Sequence, residues 1–300
     1  MNVKGVMRWI LMLCLMMLIG CGSTNSENSN DTSGNIKKLN LPKGAYEHMR
    51  WSPDGEKIVF QFDTRKTLGN TMVYDLTQSR YQVVSIPVER SVNSVGWISN
   101  SKLFFTVIES GGLSQSLYSF DLSSSKSVLL KEHIKDLSSV EWDRKGENVV
   151  IGRTSQDKNE ILKFDQNTLK LSQTETIPGS SLSRWSYDGK KIAGIVGKEI
   201  QIFDLEAKQS TQVVDYSPGW ADSLSWSPDG RWIAFSGGPS KELSGLYIVD
   251  SQGKNKPVKI YDRGIASLDW SPKGDQIAFT TVGSPGINEV YLIRVPEEFR

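Results

Sequence analysis

Trp226-Ser227-Pro228-Asp229-Gly230-Arg231-Trp232-Ile233-Ala234-Phe235 is the stretch whose reading decides the fold. Its middle is turn chemistry. Pro228 pre-sets φ, Asp229 can bond to backbone just beyond it, and Gly230 accepts positive φ without steric cost. Residues 221–226 mix apolar and small polar side chains, and residues 232–235 form an apolar run. Two strands around a short Gly-containing loop predict an antiparallel hairpin. Any β-protein has such turns, so the weight lies in the recurrence of this one.

Equivalent segments start at Trp51 (WSPDGEKIVF), Trp97 (WISNSKLFFT), Trp142 (WDRKGENVVI), Trp185 (WSYDGKKIAG) and Trp270 (WSPKGDQIAF), with spacings of 46, 45, 43, 41 and 44 residues along the series. A second element follows each one, and in five repeats it ends in Asp: Asp75, Asp121, Asp165, Asp204 and Asp250; the sixth has Arg294 there. A further short β-type run comes next, as at 81–86 and 211–214. Four short strands in about 44 residues is the period of a propeller blade. No helical period appears after the first 20 residues, and the fold class predicted is all-β, a six-bladed β-propeller over residues 36–300. The last repeat stops at Arg300 one strand short, while residues 36–41 form a strand-like segment ahead of the first repeat. That segment is expected to complete the last blade and close the ring, which removes an open seam.

The repeat resembles the TolB-like family of six-bladed propellers, whose WSPDG motif stands verbatim at Trp51 and Trp226, closely at Trp185 and Trp270, and without its Pro at Trp97 and Trp142. WD-repeat propellers fit less well, because their Trp-Asp closes a third strand whereas here the Trp closes the first. On this reading the Trp, Pro and Gly anchors are structural, and the turn and strand-end Asp residues are caps.

The N-terminus carries a separate message. Lys4 and Arg8 precede an apolar run over residues 9–19 that is short for a membrane span and suits a signal peptide. It ends in Leu18-Ile19-Gly20-Cys21, which resembles a bacterial lipoprotein signal. The resemblance implies removal of residues 1–20 and lipidation of Cys21, against the alternatives of an ordinary secretory signal or an N-terminal membrane helix. Residues 21–35 are Ser/Asn-rich and read as a flexible tether. The bilayer, reached through Cys21, is thus the first expected partner. The expected location is the extracytoplasmic face of the cell membrane, with a Gram-positive surface favoured over an outer membrane.

The chain has 35 basic and 34 acidic residues among 300, a net charge of +1, which gives no basic excess for nucleic acid. Losing Lys4 and Arg8 with the signal leaves it near neutral, so the lipid rather than a charged patch would hold it at a membrane. Both cysteines, Cys14 and Cys21, lie in the first 21 residues, so the propeller can form no internal disulfide and no Cys-based zinc site.

Candidate sites follow from the first strand of each repeat. The residues one and three before each Trp fall opposite the Trp face and border the central channel. His48, Arg50, Glu141, Arg184 and Asp269 are expected to form a mixed-charge ring there, fit either to bind a small polar ligand or peptide carboxylate or to pair with one another. The only other histidine, His133, is read as part of an exposed loop between the second and third repeats. Two histidines supply no three-His metal centre, and the chain has no Gly-x-Ser-x-Gly elbow. No cofactor, metal or catalytic residue is expected. Trp220, outside the repeat's core pattern, is the candidate partner contact. The favoured reading is a monomeric, non-catalytic propeller binding an envelope protein or peptide. The alternative is an extracytoplasmic enzyme processing saccharide or peptide through the channel residues.

Overall fold

A computed structural model describes residues 34–63, 70–86, 92–153, 158–180, 182–215, 220–238, 244–283 and 287–300, with only the backbone at Trp220. Residues 1–33, including Cys21 and the signal segment, lie outside the described residues, as does the Trp220 side chain. Among the described residues no helix is long and apolar enough to cross a membrane.

The chain is a six-bladed β-propeller, six antiparallel sheets of four strands each. Blade 1 contains β2 (Ala45–Trp51), β3 (Lys57–Asp63), β4 (Asn70–Asp75) and β5 (Arg80–Val84). Blade 2 contains β6 (Val92–Ser99), β7 (Lys102–Ile108), β8 (Ser114–Asp121) and β9 (Lys126–Lys135). Blade 3 runs β10 (Leu137–Trp142), β11 (Asn148–Arg153), β12 (Lys158–Asp165) and β13 (Lys170–Pro178). Blade 4 runs β14 (Leu182–Trp185), β15 (Lys191–Val196), β16 (Glu199–Asp204) and β17 (Gln209–Asp215). Blade 5 is β18 (Trp220–Trp226), β19 (Trp232–Gly238), β20 (Gly245–Asp250) and β21 (Val258–Tyr261). Blade 6 takes β22 (Ile265–Trp270), β23 (Gln276–Thr281) and β24 (Val290–Arg294), and its outer strand is β1 (Ile36–Lys38).

The closure expected from residues 36–41 is therefore present. Ile36, Lys37 and Lys38 pair with Ile293, Leu292 and Tyr291. Leu39 N donates to Val290 O (2.9 Å), and the Asn288 side chain holds both backbone groups of Tyr46 in blade 1. One feature was not expected: a single 3-10 turn at Glu297–Phe299, which buries Phe299 edge-on against Trp232 at 5.0 Å.

The core consists of six clusters, one at each interface between neighbouring blades. Each repeat Trp lies in one of them, as do Met49, Val95, Val140, Leu224 and Leu268 two residues before it, while Ser183, the polar counterpart in blade 4, is fully buried outside the clusters. Stripping one such Trp to Ala would cost about 3–5 kcal/mol.

The turn between the first and second strands of a blade, the a–b turn, shows what the motif's serine does. Ser52 Oγ donates to Asp54 Oδ1 (2.6 Å) and accepts from Lys57 N (2.8 Å), while Asp54 Oδ1 also accepts from Glu56 N. Gly55 sits at φ 71°, which only Gly adopts freely. Ser186 and Ser227 repeat the pattern, and in blade 3 Asp143, at the serine's position, takes the role of Asp54 by accepting from Glu147 N. The strand-end Asp residues cap the outer turns: Asp75, Asp121, Asp165, Asp204 and Asp250 each accept backbone N–H groups two to five residues on. These turns share one end of the propeller, here the turn face; the opposite end carries the remaining connections and is the connection face.

Candidate functional site

The first strand of every blade lies at the axis and has one edge without a sheet partner, since its only neighbour is the second strand. Its backbone N–H and C=O groups must still be satisfied. Channel-facing side chains and the Trp indoles of the next blade do this between them, and the mixed ring is built from that requirement.

On the donor side, Trp51 N bonds Asp269 Oδ2 (2.8 Å) and Trp270 N bonds Ser225 Oγ (3.0 Å), while Ser225 Oγ donates to Asp269 Oδ1 (2.7 Å). Met49 N and Leu268 N donate to Ser267 Oγ and Ser223 Oγ at 3.3 Å. On the acceptor side, four Trp indoles donate to the blade before them. The acceptors are Asp269 O for Trp51, Arg50 O for Trp97, Glu141 O for Trp185 and Arg184 O for Trp226, all at 3.0–3.2 Å. Trp270 instead donates to Gly274 O in its own turn. Trp142 Nε1 has no partner. The reason lies in blade 2, where Phe104 pairs with Gly96 and its ring covers the glycine so closely that a Cβ there would meet it at 2.4 Å. Trp142 stacks on that ring (5.0 Å between centroids, 29°) instead of reaching the carbonyl of Gly96.

Of the five predicted ring residues, the structure brings four together. Glu141 Oε2 faces Arg50 Nε at 3.3 Å and Arg184 Nη1 at 3.5 Å. Arg50 and Arg184 also each bond a carbonyl of their own strand, Met49 O and Ser183 O. Asp269 lies beside them on the backbone and serine contacts described above. Burial raises the Glu141 pKa above the usual carboxylate range, against the pull of Arg50. The cavity between Arg50, Glu141, Arg144 and Asp269 is ≈ 20 Å³, room for about one water and too small for a sugar or peptide.

His48 stands apart. It is half-buried on β2, in left-handed backbone (φ 50°) at the point where the register with β3 slips. Burial, then the nearby Arg50 charge, pushes its pKa down to about 4, so it is neutral at physiological pH.

His133 corrects the sequence reading. It lies within β9 and not in a loop between blades, at a register slip in the exposed outer strand, with φ 55°. Glu109, in the β7–β8 connection, accepts from His133 N (2.9 Å), contacts His133 Nδ1 (2.8 Å), and also accepts from the Ser114 and Ser116 hydroxyls. Those hydroxyl bonds, followed by the His133 contacts, pull the Glu109 pKa down to about 2, and Glu109 raises that of His133. Among the described residues no group of three or more His, Cys, Asp or Glu converges as a metal site.

Two side chains at the axis were not singled out from sequence. Arg144 and Tyr187 occupy the turn position that is Pro53, Pro228 and Pro272 in blades 1, 5 and 6. Tyr187 Oη accepts from Arg144 Nη2 (2.7 Å) and donates to Trp270 O (3.0 Å), and the Arg144 guanidinium lies 4.3 Å from the Tyr187 ring centroid. Burial raises the Tyr187 phenol pKa. The signal was the missing Pro itself, read from sequence as decay of the repeat at Trp142 and passed over at Trp185, which counted as a close match.

Comparison with known proteins supports the architecture. The family model described as eukaryotic translation initiation factor eIF2A matches residues 40–196, just over half of the chain. No curated protein matches. Among solved structures, the hydrazine synthase of Kuenenia stuttgartiensis superposes with a TM-score of 0.56 at 14% identity, over 81% of this chain and 75% of that one. At that identity the likeness concerns fold alone.

Proposed function

The chain belongs to the family described as eukaryotic translation initiation factor eIF2A, a family of WD40-like propellers, and from that premise we propose that it is a non-catalytic propeller that binds a protein or peptide in the cell envelope. The translation role in that description stays with the proteins it was written for. The observation that carries the reading is the use of the channel charges: Glu141 holds Arg50 and Arg184, and Asp269 holds Trp51 N and Ser225. Groups engaged in closing strand edges are poor candidates for turnover, which leaves the loops of the two faces as the working surface. The finer assignment is a TolB-like propeller, supported by a Trp that ends the first strand in five blades and stands two residues before its end in blade 2. The Leu18-Ile19-Gly20-Cys21 sequence supports a lipid anchor on Cys21 and an extracytoplasmic location.

Crosslinking in native membranes with identification of the adduct tests the binding role, and a reproducible adduct is expected. A bound metal, or a small ligand whose thermal stabilisation disappears in His48→Ala and Arg184→Ala, would instead favour an enzyme. For the anchor, Cys21→Ser should leave the chain unprocessed or release it into the medium; unchanged membrane association would remove that part of the proposal.

A further inference from the structure

Arg144 and Tyr187 do more than fill the axis. Both start from the a–b turns of neighbouring blades 3 and 4, yet their bonds end on the far side of the ring. Tyr187 Oη reaches Trp270 O in blade 6 at 3.0 Å, and Arg144 Nη1 reaches Trp51 O in blade 1 at 3.5 Å. Arg144 Nη2 and Tyr187 Oη join the two arms at 2.7 Å. Blades 6 and 1 are the pair that flank the ring closure, held at their outer side by the three-residue strand β1.

We propose that Arg144 and Tyr187 form a transannular strap, a second lock on ring closure that grips both blades of the seam from the opposite side of the channel. A turn Pro in these positions, as in the other motif-bearing blades, could make neither arm. Burial suits the role. It works against the charge of Arg144, but Tyr187, Asp269 and Glu141 outweigh it and keep the guanidinium ionised. The inference does not depend on the proposed binding role or on the lipid anchor.

The test uses the full chain and the isosteric Tyr187→Phe, which keeps the ring and deletes the shared hydroxyl. Arg144→Gln serves as a second variant if the first folds poorly. Native-state hydrogen exchange of β2 and β22, across the ring from the substitution, should accelerate by about tenfold, the order expected when the hydroxyl's two hydrogen bonds are lost. A double-mutant cycle between Tyr187→Phe and Asn288→Ala, a seam residue that bonds Tyr46 from blade 6, should be non-additive, because both act on the same closure. Acceleration confined to the a–b turns of blades 3 and 4, or an additive cycle, would overturn the strap and reduce the pair to local packing.

Discussion

Replacing Glu141 with Ala tests the reading of the channel most directly. Glu141 is the one carboxylate between Arg50 and Arg184, with side-chain exposures of 17%, 10% and 6% for the three. Its own pKa is raised by burial, so the ionised carboxylate gains less from its partners than it loses by leaving water. The pair is therefore not a large net source of stability, but removing one member is costly because it strands the others. Breaking a buried pair costs about 3–5 kcal/mol, and the residual solvent contact of Glu141 argues for the lower end, about 3 kcal/mol. In a domain of this size each kcal/mol moves the melting temperature by about 2 °C, so Glu141→Ala should melt about 6 °C lower by circular dichroism or calorimetry. Glu141→Gln, which keeps a hydrogen-bond acceptor, should lose less. The deficit should persist in about 0.5 M salt, since a buried cluster is weakly screened. A fall below about 1 °C, or one that salt abolishes, would mean that the ring is solvated and available to a ligand, and the argument from engaged charges would fail.

Three further outcomes are expected. With two histidines in the chain, proton NMR can follow both: His48 should titrate near pH 4 and His133 above 6.5, and a His48 midpoint in the ordinary range would mean that its ring is solvated. Because the folded pKa of His133 is raised, its contribution is complete below about pH 6.5 and is lost as pH rises through the folded value, whereas that of Glu109 is present above about 4.5 and lost as pH falls toward 2. The melting gap between wild type and His133→Gln should thus be widest near pH 5–6 and narrow by pH 9; a flat profile would refute the pairing. Gly96→Ala should cost about 1–3 kcal/mol by overpacking against Phe104, and Phe104→Val should restore most of it; no rescue in the double variant would refute the account of the orphaned Trp142 indole. Deleting residues 36–41 should sharply lower the melting temperature, and an unaltered value would contradict closure by β1.

The periodic residues were the legible ones. Trp51, Trp226 and their counterparts announce blades because an inner hairpin needs the same turn and the same buried ring each time. Ile36–Lys38 could be placed because the last repeat lacked a strand and something apolar preceded the first. Arg144 and Tyr187 were opaque for the opposite reason. Each makes its contacts across the ring with blades distant in sequence, and local pattern records only that Pro is missing. His133 was misplaced because β9 is an outer strand wet on much of its surface, so Lys131, Glu132 and His133 show none of the alternation that marks a half-buried strand. The ring of charges was visible as a set, but that its members serve the free edges of the inner strands follows only once each blade's register is known. Trp220 begins β18, and its side chain lies outside the described residues, so the partner-contact reading rests on sequence alone.

The three-residue strand β1 also has a meaning in time. Synthesis runs from the N-terminus, so β1 is the first piece of the propeller to be made and the last to find its place. Lys38 meets Glu289 across 251 residues. Five blades can assemble from contacts within and between successive repeats as they appear, but the sixth cannot finish until nearly the whole chain exists. Until then β1 is an unpaired apolar-and-basic segment that must neither collapse nor pair elsewhere. Contacts of such separation are slow to form, and the open-edged species that waits for them is the one exposed to misassembly. Ring closure is thus the expected slow phase of refolding.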